Sequence, residues 1–380
     1  MKKSIYFFMV LAICASCVPK GSITVIKGEA KELEGKKLYL YELSGMYGSK
    51  AKDSAEVKNN TFTFTLQGIK PQLYSISTNR YEPGYVFVSG KEINMKFVKQ
   101  TEYEGIEWEV TGSPLHDKYA KFTREADQYR NPPILDSLDK LFFAARDKED
   151  KKEMIRIKEL SIPYYEEAEK NYMDFVKKQI EVEKENIFGL FLYYRNIFVG
   201  KFLMTDTDIE AEKKYLDGFG SDAKQSAYMD KIKESLVRHQ NCAVGHQAPE
   251  IAGVDTAGNP VKLSDFKGKH VLVDFWNSYC TWCRKETPTM QKVYDKYKDK
   301  GFTILGVSSD RKKSDWVKAI HEDKSYWNHI ITEPKEQHKI DEAYCITGIP
   351  HIILVAPDGK ILAKELRGEK LIETVEKTMK

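Results

Sequence analysis

The chain is poor in cysteine, with six in 380 residues, which is too few for a fold held together by disulfides. It has almost no net charge, +3 overall and +1 without Lys2 and Lys3. That balance offers no electrostatic footprint for a polyanion, so nucleic acid is set aside as a partner. Past the N-terminal leader there is no long apolar segment, no internal repeat and no low-complexity linker. With 31% charged and 41% hydrophobic residues, the composition is that of globular domains, and the length allows two or three of them. Past the leader only one CxxC is present, whereas a structural zinc site draws four ligands, commonly from two close pairs.

That single pair, Cys280 and Cys283, stands where an apolar run, Val271-Leu272-Val273-Asp274-Phe275, gives way to a helical pattern with Met290, Val293, Tyr294 and Tyr297 on one face. The pattern predicts strand, turn and helix. Two cysteines so spaced on a first helical turn can close a small disulfide. Cys280, at the helix N-terminus, has its thiolate stabilised by free backbone N–H groups and the helix dipole. Farther on come a strand over Phe302–Val307, a helical stretch near Ser314–Glu322, the run Gly348–Val355, a Pro-Asp-Gly turn at 357–359 and a strand over Ile361–Leu366.

These features, with Ala248-Pro249 and the stretch Leu263–Lys269, resemble a thioredoxin-fold domain of the TlpA and ResA type from about Gln247 to Lys380. The resemblance implies a protein disulfide oxidoreductase whose only redox group is the Cys280–Cys283 disulfide, with no other cofactor and no metal. It makes Cys280 the attacking thiol, Cys283 the resolving thiol and Pro350 a cis-proline facing them. Asp274 matches the buried acid beneath the resolving cysteine, and Glu286 the glutamate that follows the CxxC in ResA-like proteins. A desolvated carboxylate has a raised pKa and can take the Cys283 proton. The alternative for Glu286 is a solvated surface charge. Trp276, Thr281, Trp282, Ile349 and Pro350 are the residues expected to meet a client protein. Thr281-Trp282 departs from the family's usual central dipeptide, which leaves the redox potential open. His351 replaces a frequent Thr, and either tunes the Cys280 thiolate or fills space. Copper delivery through Cys280, Cys283 and His351 is a rival reading of the pair. A peroxiredoxin would need Thr three residues before its attacking cysteine, and Asn277 occupies that place.

At the other end, Met1-Lys2-Lys3 is basic, Ile5–Ala15 is apolar but short for a bilayer span, and Ala15-Ser16-Cys17 closes the run with small residues. The expectation is a lipoprotein signal peptide over 1–17, with Cys14 lost and Cys17 lipidated. The protein is then tethered in a bacterial cell envelope, facing the periplasm. Ordinary cleavage with release is the alternative.

From 22 to 114, short alternating strands (Ile23–Ile26, Lys37–Tyr41, Thr61–Leu66, Leu73–Ser77, Tyr85–Val88 and Ile93–Val98) predict an all-β sandwich or barrel. Asp53-Ser54-Ala55 and the stretch Val110–Leu115 resemble an uncharacterised domain that often precedes lipoprotein thioredoxins. From 115 to 240 the pattern is helical, with Ile134, Leu135, Leu138, Leu141, Phe142 and Ala145 on one face and Tyr172, Phe175, Val176 and Ile180 on another. Ile187–Val199 is apolar nearly all round and is expected to be buried within the chain. The thioredoxin-like domain takes 241–380. Cys242 and Cys345 are expected to be unpaired, because nothing in the sequence places them close together.

Two functions follow. The first is a tethered thiol-disulfide oxidoreductase working as a reductase on client disulfides or an apocytochrome dithiol, supplied by a membrane thiol donor. The second is a binding or scaffold lipoprotein in which residues 22–240 capture a partner and the redox domain is secondary.

Overall fold

A computed structural model describes residues 23–43, 51–79, 83–101, 105–201 and 204–380. The signal-peptide reading, Cys17 included, lies outside the described residues. The chain divides into two compact units, one reaching to Asn196 and including Gly220–Met229, the other made of Ile197–Phe219 and Asp230–Lys380.

The first unit begins with eight strands: β1 (Ile23–Glu29), β2 (Lys37–Glu42), β3 (Ala51–Glu56), β4 (Thr61–Gln67), β5 (Gln72–Ser77), β6 (Gly84–Val88), β7 (Glu92–Thr101) and β8 (Gly105–Thr111). They form two four-stranded sheets, ordered β4-β1-β7-β8 and β3-β2-β5-β6. Alternation explains the pairing. Phe62, Phe64 and Leu66 of β4 point inward between exposed neighbours, and meet Leu38, Leu40, Tyr74 and Ile76 of the other sheet in one apolar core.

Helices follow: α1 (Pro114–Arg130), α2 (Pro133–Asp147), α3 (Lys151–Val182) and α4 (Ile187–Asn196). Ser113 caps α1 through a hydrogen bond from the His116 N–H, with Pro114 opening the first turn. As expected, α4 is buried: Phe188 and Phe191 pack on Phe87, and Phe191 on Tyr228. The apolar face of α2 is narrower than its sequence suggests. Leu135, Leu138 and Ala145 are buried, while Ile134 and Leu141 stay exposed because the contact with α3 covers a single stripe. Four more described helical segments complete the middle of the chain: α5 (Asp206–Leu216), α6 (Ser221–Lys224), α7 (Ala227–Asn241) and the 3-10 turn Phe198–Gly200.

The C-terminal part comprises β9 (Ala252–Val254), β10 (Pro260–Lys262), β11 (His270–Trp276), α8 (Thr281–Tyr297), β12 (Phe302–Ser308), α9 (Lys313–Asp323), β13 (Asn328–Ile331), α10 (Pro334–Tyr344), β14 (His351–Val355), β15 (Ile361–Lys364) and α11 (Gly368–Thr378). Its seven-stranded sheet is ordered β10-β9-β13-β12-β11-β14-β15. The central strands β11, β12 and β14 are apolar almost without interruption because helices cover both faces. Met290, Val293, Leu371 and Val375 fill one side, and Ile340, Tyr344 and Cys242 the other. This is the expected thioredoxin-like arrangement. Among the described residues no helix is long and apolar enough to cross a membrane.

Candidate active site

Strand β11 carries the site. It pairs parallel with β12 and antiparallel with β14, with Phe275 opposite His351, so its C-terminal end lies beside the start of β14. The chain then turns into α8 with Cys280 as the N-cap residue, and the Cys280 Sγ accepts a hydrogen bond from the Cys283 N–H at 3.1 Å. Cys280 and Cys283 form a disulfide with Cα atoms 5.3 Å apart. The pair is asymmetric, since Cys280 is half-buried while Cys283 is only 2% exposed. An incoming sulfur therefore reaches Cys280 first.

The Ile349–Pro350 peptide is cis, and the Ile349 carbonyl oxygen lies 3.9 Å from the Cys280 Sγ, so this loop faces the disulfide as the resemblance implies. Arg367 donates to the Pro350 carbonyl at 2.7 Å and ties the loop to the start of α11.

Asp274 is buried in β11 and its Oδ1 has no hydrogen-bond partner. Burial, with a further contribution from the Glu286 charge, pushes its pKa up to about 8. Cys283 and Glu286 stand one helical turn apart on α8, which brings that face of the helix over Asp274. Glu286 is half-buried rather than freely solvated, and its Oε2 accepts from the Gly368 N–H at 2.9 Å, at the N-terminus of α11.

The residues expected to meet a client separate on burial. Thr281 and Trp282 are exposed, Ile349 is half-buried and Pro350 is buried against the disulfide. Trp276 needs correcting. As the inward-facing last residue of β11 it packs with Cys283, Trp316, Ala319 and Ile320 and presents no surface to a partner. Beside the disulfide a hollow of about 460 Å³ is lined by Ser278, Tyr279, Thr281, Arg284, Lys285 and Asp323. Tyr279 and Trp282 stand exposed there, and the Lys285 Nζ lies 4.3 Å from the centre of the Trp282 ring.

His351 is buried, with its Nδ1 2.8 Å from the Glu365 carboxylate. That hydrogen bond holds the Glu365 pKa below the usual range. Sequence reasoning missed Asp310. Its buried carboxylate accepts from the Ser278 N–H at 2.9 Å, the Ser278 hydroxyl at 2.6 Å and the Ser308 hydroxyl at 2.7 Å, pinning the turn that leads into the CxxC. A Ser-Ser-Asp string directly after an apolar strand was the available signal. Arg284 was also missed, and its guanidinium clamps Asp323 with bonds of 2.8 and 2.6 Å.

Comparison with known proteins agrees with this geometry. Residues 244–364 match the AhpC/TSA family, and residues 24–119 match the Domain of unknown function (DUF4369). Thiol-disulfide oxidoreductase ResA of Bacillus thuringiensis subsp. konkukian is 30% identical over 145 residues, 38% of this chain and 82% of that protein. The ResA of Bacillus cereus strain ZK is 32% identical over 133 residues, 35% of this chain and 75% of that protein. A solved thioredoxin domain of a thiol-disulfide oxidoreductase from Bacteroides vulgatus is 59% identical, covering 36% of this chain and 99% of that one, with a TM-score of 0.36. Through its C-terminal domain, with the Cys280–Cys283 pair at its redox site, the chain belongs to the ResA thiol-disulfide oxidoreductases.

Proposed function

We propose that this oxidoreductase is a lipoprotein, anchored through Cys17 and facing the periplasm, that reduces disulfides in client proteins. The Cys280 thiolate attacks a client disulfide, and the displaced client sulfur leaves as a thiolate that takes a proton from solvent. Cys283 then gives its proton to the Asp274 carboxylate and attacks the Cys280 Sγ. The client's second sulfur is released and the Cys280–Cys283 disulfide closes. The client gains two electrons and two protons. A thiol donor at the membrane returns the pair to its reduced form, and an apocytochrome dithiol is one client of suitable chemistry.

The observation that carries this reading is the buried Asp274 with its raised pKa, under the helix face that bears the shielded Cys283. A proton acceptor there serves the resolving half of the reaction, which a reductase must complete at every turnover. Thr281, Trp282 and Ile349 supply the contact surface, and Pro350 shapes the loop against the client's backbone. The basic start, short apolar run and Ala15-Ser16-Cys17 support the anchor.

The reduction potential of the full chain, equilibrated against glutathione, tests the direction. A reductase lies near the thioredoxin end of the known range, about −270 mV, whereas a value near −120 mV would make the protein an oxidant.

A further inference from the structure

Outside the described site, the unit that holds the CxxC contains a second pair of thiols. Cys242 follows α7 and is fully buried, and Cys345 ends α10 in a left-handed conformation, φ 55°. Both are free, and both pack in the core on the side of the sheet that holds Tyr344 and Ile340. The sequence suggests no reason for them to meet, yet their side chains are in hydrogen-bonding contact. The Lys364 ammonium of β15 joins them, donating to the Cys242 carbonyl at 3.0 Å and lying 3.2 Å from the Cys242 Sγ. A lysine aimed at a buried sulfur is a counter-charge for a thiolate. The Cys345 hydrogen bond and the Lys364 charge both draw the Cys242 pKa down, while the Cys345 pKa is driven up by the same shared hydrogen bond and by burial. One proton is thus held between two sulfurs.

We propose that Cys242 and Cys345 are a second disulfide-forming pair, oxidised by low-molecular-weight disulfides, with Cys345 as the entry thiol and Cys242 as the resolving one. Their exposures order the steps, because Cys345 is half-buried and Cys242 is fully covered. Cys345 passes its proton to the Cys242 thiolate and attacks the small disulfide RSSR, forming a Cys345–SR bond and releasing RS⁻. Cys242 then gives that proton to RS⁻ and attacks the Cys345 Sγ, releasing the second RS⁻. One thiolate and one thiol become one protein disulfide, and RSSR is reduced to RSH and RS⁻. The product links the residue after α7 to a residue five positions before Pro350, so its oxidation state bears on the loop that faces the Cys280–Cys283 pair.

The test uses the full chain with Cys14, Cys17, Cys280 and Cys283 each replaced by Ser, which leaves Cys242 and Cys345 as the only thiols. After native incubation with oxidised glutathione, denaturation and alkylation, both thiols should be lost to alkylation and a peptide joining 242 to 345 should appear by mass spectrometry. Adding Cys242→Ser should stop the reaction at a glutathione adduct on Cys345. Should the multiple variant not fold, peptide mapping of the unsubstituted chain after the same oxidation must yield the same cross-linked peptide. Two thiols still open to alkylation, at a glutathione concentration that fully oxidises Cys280 and Cys283 in the unsubstituted chain, would overturn the proposal. A stable adduct on Cys345 with Cys242 present would do the same.

Discussion

Replacing Asp274 by Asn removes an ionisable group from the core while nearly keeping its shape, and the consequence for stability has a defined pH window. Burial places the folded-state pKa at about 8 against an ordinary 3.8, so between those values the folded protein binds a proton that the unfolded chain does not. Stability therefore falls as pH rises across this interval, by about 1.4 kcal/mol for each pH unit while the difference in protonation is complete. Below pH 4 both states are protonated and the group contributes no slope. Above pH 8 both are ionised and the loss levels off. The stability of Asp274→Asn relative to the parent should accordingly rise by roughly 4 kcal/mol between pH 4 and pH 7. Trp276, Trp316 and Trp327 are buried in this part of the chain, so denaturant unfolding followed by tryptophan fluorescence reads it. The same variant should resolve mixed disulfides more slowly near neutral pH, because the acceptor of the Cys283 proton is gone. A stability difference that stays constant from pH 4 to pH 8 would refute the assignment of Asp274 as a desolvated acid. Unchanged exchange rates from pH 6 to 9 would move the proton to Glu286 or to water.

Asp310→Ala strips three hydrogen bonds from the Ser278 turn and should destabilise the domain by about 3 kcal/mol in chemical denaturation, with slower disulfide exchange. Trp282→Ala removes an exposed ring and should change stability by less than about 0.5 kcal/mol. It should raise KM for a protein disulfide while leaving the rate with a small disulfide substrate unchanged. Cys17→Ala should shift the protein from the membrane fraction to the soluble fraction, and retention in membranes would point to an uncleaved helix or a partner.

What the sequence discloses is mostly what is local. The CxxC sits at a strand-to-helix junction, so the periodicity change on either side of Cys280 marks β11 and α8. The α9 and β12 boundaries fall within one residue of their expected ends. Strand β3 was not legible: its Ala-Lys-Asp-Ser-Ala-Glu sequence has no buried side chain, because it forms the edge of its sheet and is held by backbone pairing to β2. Short β9, β10 and β13 carry too few residues for a period to emerge. The supports of the site were hidden for another reason. Asp310 reaches Ser278 across 32 residues and Arg367 reaches Pro350 across 17, and such contacts exist only once the sheet order is known. Trp276 shows the converse, since an aromatic next to a redox pair suggests a contact surface until the strand's alternation turns it inward.

The division of labour between the two active-site cysteines is the centre of the account, and trapping tests it most directly. Full-length protein carrying Cys283→Ser, incubated with a disulfide-containing client such as insulin, should accumulate a mixed disulfide through Cys280. The counterpart carrying Cys280→Ser should form none and reduce nothing. Insulin reduction by the Cys280→Ser protein, or adducts captured on Cys283 in its place, would contradict the geometry in which Cys280 is exposed and Cys283 is sealed beneath it.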